Sequence, residues 1–165
     1  IDEGLVGSEM CIRDRSNIET LLPSGAKWDD LKTFLLSLSS QRYKGKSVLL
    51  HGDFWSGNIL WENNEIVGIL DWEYAAFGDP LYDLAVTSLE MRYQYGERGM
   101  EQCKSFYGKS FELDNYRLSL WLIFIAASTH YHIKSWNLSE ERKERIKHES
   151  LLTISEEFKK LSKIN

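Results

Sequence analysis

Strand-forming residues are confined to the middle of this 165-residue chain, and helical patterns lie on both sides of them. Residues 48–50 have the composition of a short strand, while residues 59–61 and 66–70 are typical of the two strands of a hairpin. Asn63 and Asn64 lie between these two strands, and Asn tolerates the positive φ that a tight turn requires. Because strands and helices do not alternate, the sequence predicts an α+β domain and not a series of βαβ units.

Apolar residues at helical spacing predict five helices around the strands, over residues 28–41, 81–95, 97–107, 116–136 and 140–161. Side-chain oxygens that accept backbone N–H groups favour the first position of a helix, so Asp114 and either Asn137 or Ser139 are expected as caps. The chain is therefore predicted to be mostly helical, with a small hairpin near its centre.

Composition excludes several classes of protein. Hydrophobic residues make up 42% of the chain, which is enough for a core, and the net charge of −5 argues against a general affinity for nucleic acid or membrane. The longest apolar run, residues 120–127, falls far short of the roughly 20 residues that cross a bilayer. Cys11 and Cys103 are too few for a disulfide framework or a zinc site, which indicates the cytoplasm.

The first fifteen residues show no helical or alternating pattern and do not resemble a signal peptide. Residues 10–15 read Met-Cys-Ile-Arg-Asp-Arg, and back-translation gives a sequence like the transposon-end adapter of sequencing libraries. We therefore expect residues 1–15 to be a non-native scar and residues 16–165 to be natural sequence. An adapter joined to a reading frame also predicts that an upstream part of the natural protein is missing.

The predicted hairpin brings two oxygen ligands together. Asn58 opens its first strand and Asp71 follows its second, so antiparallel pairing places both at the same end. An amide oxygen and a carboxylate suit Mg²⁺, which binds one or two protein carboxylates together with waters and phosphates. Asp53 lies five residues before Asn58, where a carboxylate can accept the proton of an attacking hydroxyl or orient it.

Charge along the same segment supports a metal site. Residues 47–91 contain no Lys or Arg, but they contain eight acids: Asp53, Glu62, Glu65, Asp71, Glu73, Asp79, Asp83 and Glu90. Such a field repels bare phosphate and attracts a divalent cation or a cationic substrate. The segment therefore predicts metal-bridged phosphate, with any phosphate-binding lysine supplied from elsewhere.

Three motifs resemble the aminoglycoside phosphotransferase and choline kinase family of small-molecule kinases. They are His51-Gly52-Asp53 followed by Asn58, then Ile-Leu-Asp-Trp-Glu at residues 69–73, and then Gly78-Asp79-Pro80 followed by Asp83-Leu84-Ala85. The resemblance implies a protein-kinase-like C-lobe over residues 16–165. Its catalytic loop would be residues 51–58, its metal-binding segment residues 69–73 and its helical subdomain residues 81–161.

The resemblance also implies roles for five residues. Asp53 would be the catalytic aspartate that faces the acceptor hydroxyl, while Asn58 and Asp71 would bind Mg²⁺, with Asp71 bridging the phosphates of ATP or GTP. His51 would brace the catalytic loop, and Asp83 would hydrogen-bond the loop backbone from behind. The N-lobe of this family, which carries the phosphate-covering loop and the ATP-contacting lysine, is not found in this sequence.

Other residues near the motifs have a simpler structural interpretation. Asp79, before Pro80, suits a turn better than metal binding, and Asp83 suits the first turn of a helix. Trp55 and Trp72 could stack on a substrate, but large aromatic residues beside a site are more often packing residues. The residues that bind the acceptor are unknown at this level.

The favoured function is an ATP-dependent kinase that phosphorylates a hydroxyl of a small polar molecule, such as an aminoglycoside, a choline-like alcohol or a sugar derivative. Its partners would be that molecule and a nucleotide, not nucleic acid or membrane. A non-catalytic C-lobe that only binds ligands is the alternative. A glycosidase that uses Asp53 and Asp71 is a further class, but it leaves His51 and Asn58 unexplained. Without an N-lobe the chain alone is expected to be inactive and to expose apolar surface near the hairpin.

Overall fold

The protein is described by a computed structural model that covers residues 21–37 and 45–163. Helices dominate, and the short strands are antiparallel, so the α+β class predicted from the sequence is confirmed. The elements in chain order are α1 (Ala26–Ser37), β1 (Val48–Leu50), β2 (Ile59–Glu62), β3 (Glu65–Ile69), β4 (Ala76–Gly78), α2 (Leu81–Tyr95), α3 (Glu97–Gly108), α4 (Asn115–His132) and α5 (Glu140–Leu161).

The strands form two separate two-stranded sheets, β1 with β4 and β2 with β3. In the hairpin, Ile59 pairs with Ile69 and Glu62 with Glu65, and the turn residues Asn63 and Asn64 have the predicted positive φ values of 50° and 65°. Strand β4 was not predicted, because three residues are too few to show an alternating pattern. Its pairing with β1 brings the chain back beside residues 51–58, the loop that follows β1.

One helix end differs by several residues from its sequence-based boundary. The helix predicted over residues 116–136 ends at His132, and the chain continues as a 3₁₀ turn over Ile133–Ser135. Apolar spacing does not separate a last α-helical turn from a 3₁₀ turn, since both keep a buried residue such as Ile133 on the core side. The predicted end of the first helix, residues 38–41, lies outside the described residues.

Two predicted caps can be assigned from hydrogen bonds. The side chain of Asp114 accepts the N–H of Arg117 at 2.9 Å, and Ser139, not Asn137, accepts the N–H of Arg142 at 3.3 Å. Of the helices that the structure describes, none is both long and apolar enough to cross a membrane.

The core of the protein lies between the helices. Helix α4 packs against both α2 and α5, and its residues Leu122 and Ile123 are fully buried. Arg92 of α2 is also buried, and it forms ion pairs with Glu149 and Glu156 of α5 at 2.8 and 2.6 Å. Apolar packing and buried charge therefore tie α2, α4 and α5 into one body.

The hairpin is built differently. Leu60, Trp61, Ile66 and Val67 are each about half exposed, although all four are apolar. This exposure agrees with the expected apolar surface near the hairpin. The strand segment therefore rests on the helical body with little core of its own.

Candidate active site

The loop between β1 and β2 is fastened to the first turn of helix α2. Asp83 Oδ2 accepts the backbone N–H of His51 at 2.7 Å, and Asp83 Oδ1 accepts that of Gly52 at 2.9 Å. Both carboxylate oxygens are thus bonded to the two residues that precede Asp53. This is the backbone contact that the family resemblance implied for Asp83.

His51 connects the same loop to the chain after β3. Its Nε2 lies 2.7 Å from the carbonyl oxygen of Leu70, and its Nδ1 accepts the N–H of Asp53 at 3.3 Å. With Nδ1 as an acceptor, Nε2 carries the hydrogen and donates it to Leu70. The imidazole is buried and contacts the ring of Trp72, with centroids 4.7 Å apart.

Gly52 is required by the path of the loop. Its φ is +87°, in the region that favours glycine, and a Cβ built there would lie 2.3 Å from the carbonyl oxygen of Tyr74. The loop therefore presses directly against the segment that follows Asp71. No other residue type fits this position without moving one of the two backbones.

Asn58 and Asp53 are bonded to each other across the loop. The Asn58 amide nitrogen donates to the Asp53 backbone carbonyl at 2.9 Å and to Asp53 Oδ2 at 3.1 Å. Asn58 is buried at the end of a 3₁₀ turn over Ser56–Asn58. Because its nitrogen is used on Asp53, its amide oxygen is directed away from that carboxylate and can act as a ligand.

Asp71 lies beside Asn58 because of the strand register. Ile59 pairs with Ile69, and Leu70 donates its N–H to the Asn58 carbonyl at 2.8 Å, which leaves Asp71 as the next residue. Asp71 has a φ of 62°, and its exposed carboxylate makes no hydrogen bond or ion pair with any residue that the structure describes. An amide oxygen and a carboxylate at these neighbouring positions form a donor set that fits Mg²⁺.

The described residues contain no cluster of three or more His, Cys, Asp or Glu side chains that could hold a metal by itself. A site made of Asn58 and Asp71 is smaller than such a cluster. Two protein ligands still suit Mg²⁺, which often takes its remaining ligands from waters or phosphates.

Two neighbouring groups report how much negative charge gathers here. The pKa of Tyr74 is raised, first by the charge of Glu73 and its hydrogen bond to that residue, and further by the charges of Asp53 and Asp71. Burial raises the pKa of Glu90, the charge of Asp53 raises it further, and Arg142 opposes both. Asp53 and Asp71 therefore lie in one acidic cluster, which extends to Glu90 of α2.

Sequence reasoning counted Glu90 only as one of the eight acids of residues 47–91, and it did not single out Thr87, which contacts the loop. Both follow Asp83 at spacings of seven and four residues, which places all three on one face of α2. Once Asp83 is identified as a loop contact, this i, i+4, i+7 spacing is the signal that would have found them.

The residues given a structural interpretation have structural contacts. Asp79 is buried, accepts the N–H of Leu81 at 3.1 Å and the indole N–H of Trp121 at 2.9 Å, and forms an ion pair with Arg117 Nε at 2.8 Å. It thus caps α2 and fastens α4 to it.

Trp72 donates its indole N–H to the Ile69 carbonyl at 2.9 Å, so it packs on the end of the hairpin.

Comparison with known proteins identifies the family. The family model described as "Phosphotransferase enzyme family" matches residues 15–118, which is more than half of the chain and includes the whole loop and hairpin. The chain belongs to this family. The resemblance seen in the sequence motifs is thereby confirmed, and the acidic cluster described above lies within the matched region of a phosphotransferase.

Individual relatives of the chain match over shorter stretches. Mouse acyl-CoA dehydrogenase family member 11 is 40% identical over 63 residues, which are 37% of this chain and 8% of that protein. Hygromycin-B 4-O-kinase of Escherichia coli is 36% identical over 58 residues, 30% of this chain and 17% of the kinase. The chain thus spans less than a fifth of the length of either relative. No solved structure matches the chain.

Proposed function

We propose that this chain carries the catalytic and metal-binding residues of a kinase that transfers the terminal phosphoryl group of ATP or GTP to a hydroxyl of a small polar molecule. The observation that supports this most directly is the convergence of Asp53, Asn58 and Asp71 at one end of the hairpin. Membership of a phosphotransferase family supports the same reaction class. In this proposal the helical body is a protein-kinase-like C-lobe.

In this proposal Asp53 acts on the acceptor hydroxyl. One of its carboxylate oxygens is bonded to Asn58, so the other remains to accept a hydrogen bond from the substrate. A carboxylate in that position orients the hydroxyl for in-line attack and takes its proton as the new P–O bond forms. The contacts of Asp83, His51 and Asn58 hold the loop so that this geometry exists before the substrate binds.

Asn58 and Asp71 are the residues that would hold Mg²⁺, through the amide oxygen of the first and the carboxylate of the second. When bound, Mg²⁺ would neutralise phosphate charge, which the acidic cluster by itself repels. Asn58 also separates the two functions, because its nitrogen engages Asp53 while its oxygen is left for the metal.

The class of acceptor follows from charge and from one relative. Residues 47–91 contain eight acids and no Lys or Arg, which favours a cationic hydroxyl compound. The name of the hygromycin-B 4-O-kinase supports an aminoglycoside as one such compound. A dehydrogenase activity is not proposed, since the stretch shared with the mouse dehydrogenase relative covers only 8% of that protein. We place the reaction in the cytoplasm, where the nucleotide and reduced cysteines are found.

The test is Asp53→Asn in the natural full-length protein, assayed for phosphoryl transfer from labelled ATP to hygromycin B and to a panel of amino alcohols. We expect turnover to fall by at least about 10²-fold, the range of general acid–base catalysis, with Mg·ATP binding retained. Glu62→Gln is the matched control, because it removes an exposed acid of the same segment at the far end of the hairpin. Retained turnover in Asp53→Asn, or an equal loss in Glu62→Gln, would contradict the role of Asp53.

A second measurement addresses the metal. Asp71→Asn should weaken Mg²⁺ binding and so raise the Mg²⁺ concentration needed for the half-maximal rate, because one ligand charge is lost. Turnover that is independent of divalent cations in the unmodified protein would contradict the metal site while leaving the role of Asp53 open to the first test.

A further inference from the structure

Thr87 lies one helical turn after Asp83 on α2 and reaches the same loop. Its hydroxyl lies 2.7 Å from the carbonyl oxygen of Phe54 and 2.9 Å from that of Asp83. Phe54 is the residue directly after Asp53. Helix α2 therefore contacts the loop backbone on both sides of the proposed catalytic aspartate.

A threonine hydroxyl has one hydrogen to donate, so these two carbonyls compete for it. The Asp83 carbonyl, four residues earlier, is the usual acceptor for a threonine inside a helix. The Phe54 carbonyl is the nearer of the two and belongs to a different element. Without that hydrogen, the Phe54 carbonyl would have to find another donor or turn away.

The loop contacts divide into two sets. Asp83 holds the amides of His51 and Gly52, which precede Asp53, and Thr87 holds the carbonyl of Phe54, which follows it. A peptide chain that is fixed on only one side of a residue can still rotate about that residue's φ and ψ. After Asp53, the Asn58 amide holds the Asp53 carbonyl and Thr87 holds the next carbonyl, so the two bonds together limit the direction in which the Asp53 side chain leaves the loop.

We propose that Thr87 is a positioning residue of the phosphotransfer site. It touches no substrate, and it acts through the Phe54 carbonyl to hold Asp53 in the orientation that meets the acceptor hydroxyl. The expected effect of Thr87 on kcat rests on the proposed function. Its expected effect on the loop, which it makes stiffer, does not.

Thr153 of α5 provides a matched control. Its buried hydroxyl donates to the carbonyl of Glu149, four residues earlier, at 2.9 Å. Among the described residues, Thr153 makes this intrahelical bond without a bond to the loop. Thr153→Val and Thr87→Val therefore remove the same hydroxyl, each within reach of the carbonyl four residues earlier, and introduce the same β-branched side chain. Only Thr87→Val also removes the bond to Phe54.

The experiment compares Thr87→Val, Thr87→Ser and Thr153→Val. The first readout is hydrogen exchange by NMR at the amides of Gly52 and Asn58, which are bonded to Asp83 and to the Trp55 carbonyl. The second is the separate measurement of kcat and of KM for ATP in the full-length protein. Thr87→Ala, which removes the same hydroxyl with a residue that favours helices, replaces Thr87→Val if that variant does not fold.

We expect Thr87→Val to speed exchange at both loop amides and to lower kcat by about 10- to 10²-fold, with KM for ATP changed less than about twofold, since misplacement of a reacting group affects the transition state. Thr87→Ser should restore both readouts, and Thr153→Val should change neither. Loop exchange and kcat that stay at the unmodified level in Thr87→Val, or that change equally in Thr153→Val, would overturn the proposal.

The two proposals fail in different ways. If the unmodified protein transfers no phosphate, the proposed function fails, and the exchange measurement alone decides the role of Thr87. Faster exchange confined to the loop then supports the positioning contact, and unchanged exchange overturns it.

Discussion

The helical body and the strand segment of this member of the phosphotransferase family are stabilised by different interactions. In residues 81–161, side chains such as Leu122 and Ile154 are fully buried, and Arg92 is enclosed between two glutamates. In residues 48–78, which carry the candidate site, apolar side chains such as Trp61 and Val67 are more than half exposed. The site segment therefore depends on the body for its stability, while the body depends little on the site segment.

The contacts that join the two regions include a set of directional polar bonds. The Asp83 carboxylate accepts two backbone N–H groups of the loop, and the Thr87 hydroxyl donates to a backbone carbonyl of the loop. A hydrogen bond fixes direction as well as distance, whereas apolar packing tolerates small rotations. This arrangement suits a catalytic loop, which needs an exact orientation but must remain open to substrate. Stability and precision are thus supplied by separate sets of residues.

The largest difference between the two regions is expected when a leucine is replaced by alanine in each of them and the free energy of unfolding is compared. Leu122→Ala in α4 should lower the free energy of unfolding by about 2–5 kcal/mol, because it leaves a cavity in a packed core. Leu60→Ala in the hairpin should cost less than about 1 kcal/mol, because that side chain is already half exposed. Denaturant unfolding measures both, and similar costs would show that the hairpin belongs to the same core.

Arg92 tests whether buried charge contributes to the body. Arg92→Met should destabilise by about 3 kcal/mol, since it leaves Glu149 and Glu156 without their partner, although both carboxylates can partly rehydrate. The exposed Arg145, which donates to the Gln94 carbonyl, is the matched control, and Arg145→Met should cost less than about 0.5 kcal/mol.

The Arg92 contribution should depend on pH. The hydrogen bond from Arg92 lowers the pKa of Glu156 below its ordinary value of 4.5, so the folded state binds this proton less readily than the unfolded state. The stabilisation is present above pH 4.5 and is lost as the pH falls through the lower folded pKa. The stability difference between Arg92→Met and the unmodified protein should therefore shrink in acid, and a constant difference would contradict the ion pair.

Two glycines with positive φ distinguish strain from steric contact. Gly96→Ala should cost about 1–3 kcal/mol, because φ 73° with ψ −168° is a region used almost only by glycine, yet its added methyl group meets no atom within 4 Å. Gly52→Ala adds a collision with the Tyr74 carbonyl to a similar strain. We expect turnover to fall at least about tenfold in Gly52→Ala, because the collision would misplace the proposed catalytic groups. Turnover should stay near normal in Gly96→Ala that has folded. Equal activities would show that the loop is not held against Tyr74.

The smallest effect concerns the pKa of Tyr74, followed by NMR titration of its ring. Glu73→Gln should lower that pKa the most, and Asp53→Asn and Asp71→Asn should each lower it by less, because each removes a negative charge that disfavours tyrosinate. Added Mg²⁺ should act in the same direction if it binds at Asn58 and Asp71. Glu62→Gln is the control, and a pKa that responds to it as strongly as to Asp53→Asn would contradict the acidic cluster.

Much of this protein could be predicted from local sequence. Helical spacing located the helices, and Asn63 and Asn64 marked the hairpin turn. Candidate caps at Asp114 and at Asn137 or Ser139 marked two of the helix starts, and the structure selected Ser139. The neighbouring positions of Asn58 and Asp71 also followed from sequence, because antiparallel pairing across a short turn fixes which residues meet. These features depend on residues that are close along the chain.

Tertiary structure decided the features that join distant parts of the chain. Strand β4 exists because the chain returns to β1, and Asp79, Thr87 and Glu90 acquire their roles from groups 30 or more residues away in sequence. No local pattern marks such contacts, because the sequence around a carboxylate or a helical threonine does not show whether that residue has a distant partner. The sequence by itself determined the helices, the hairpin and the chemical groups proposed for the site. Packing of α2 against the loop determined how those groups are held, because only the folded chain brings their hydrogen-bond partners within reach.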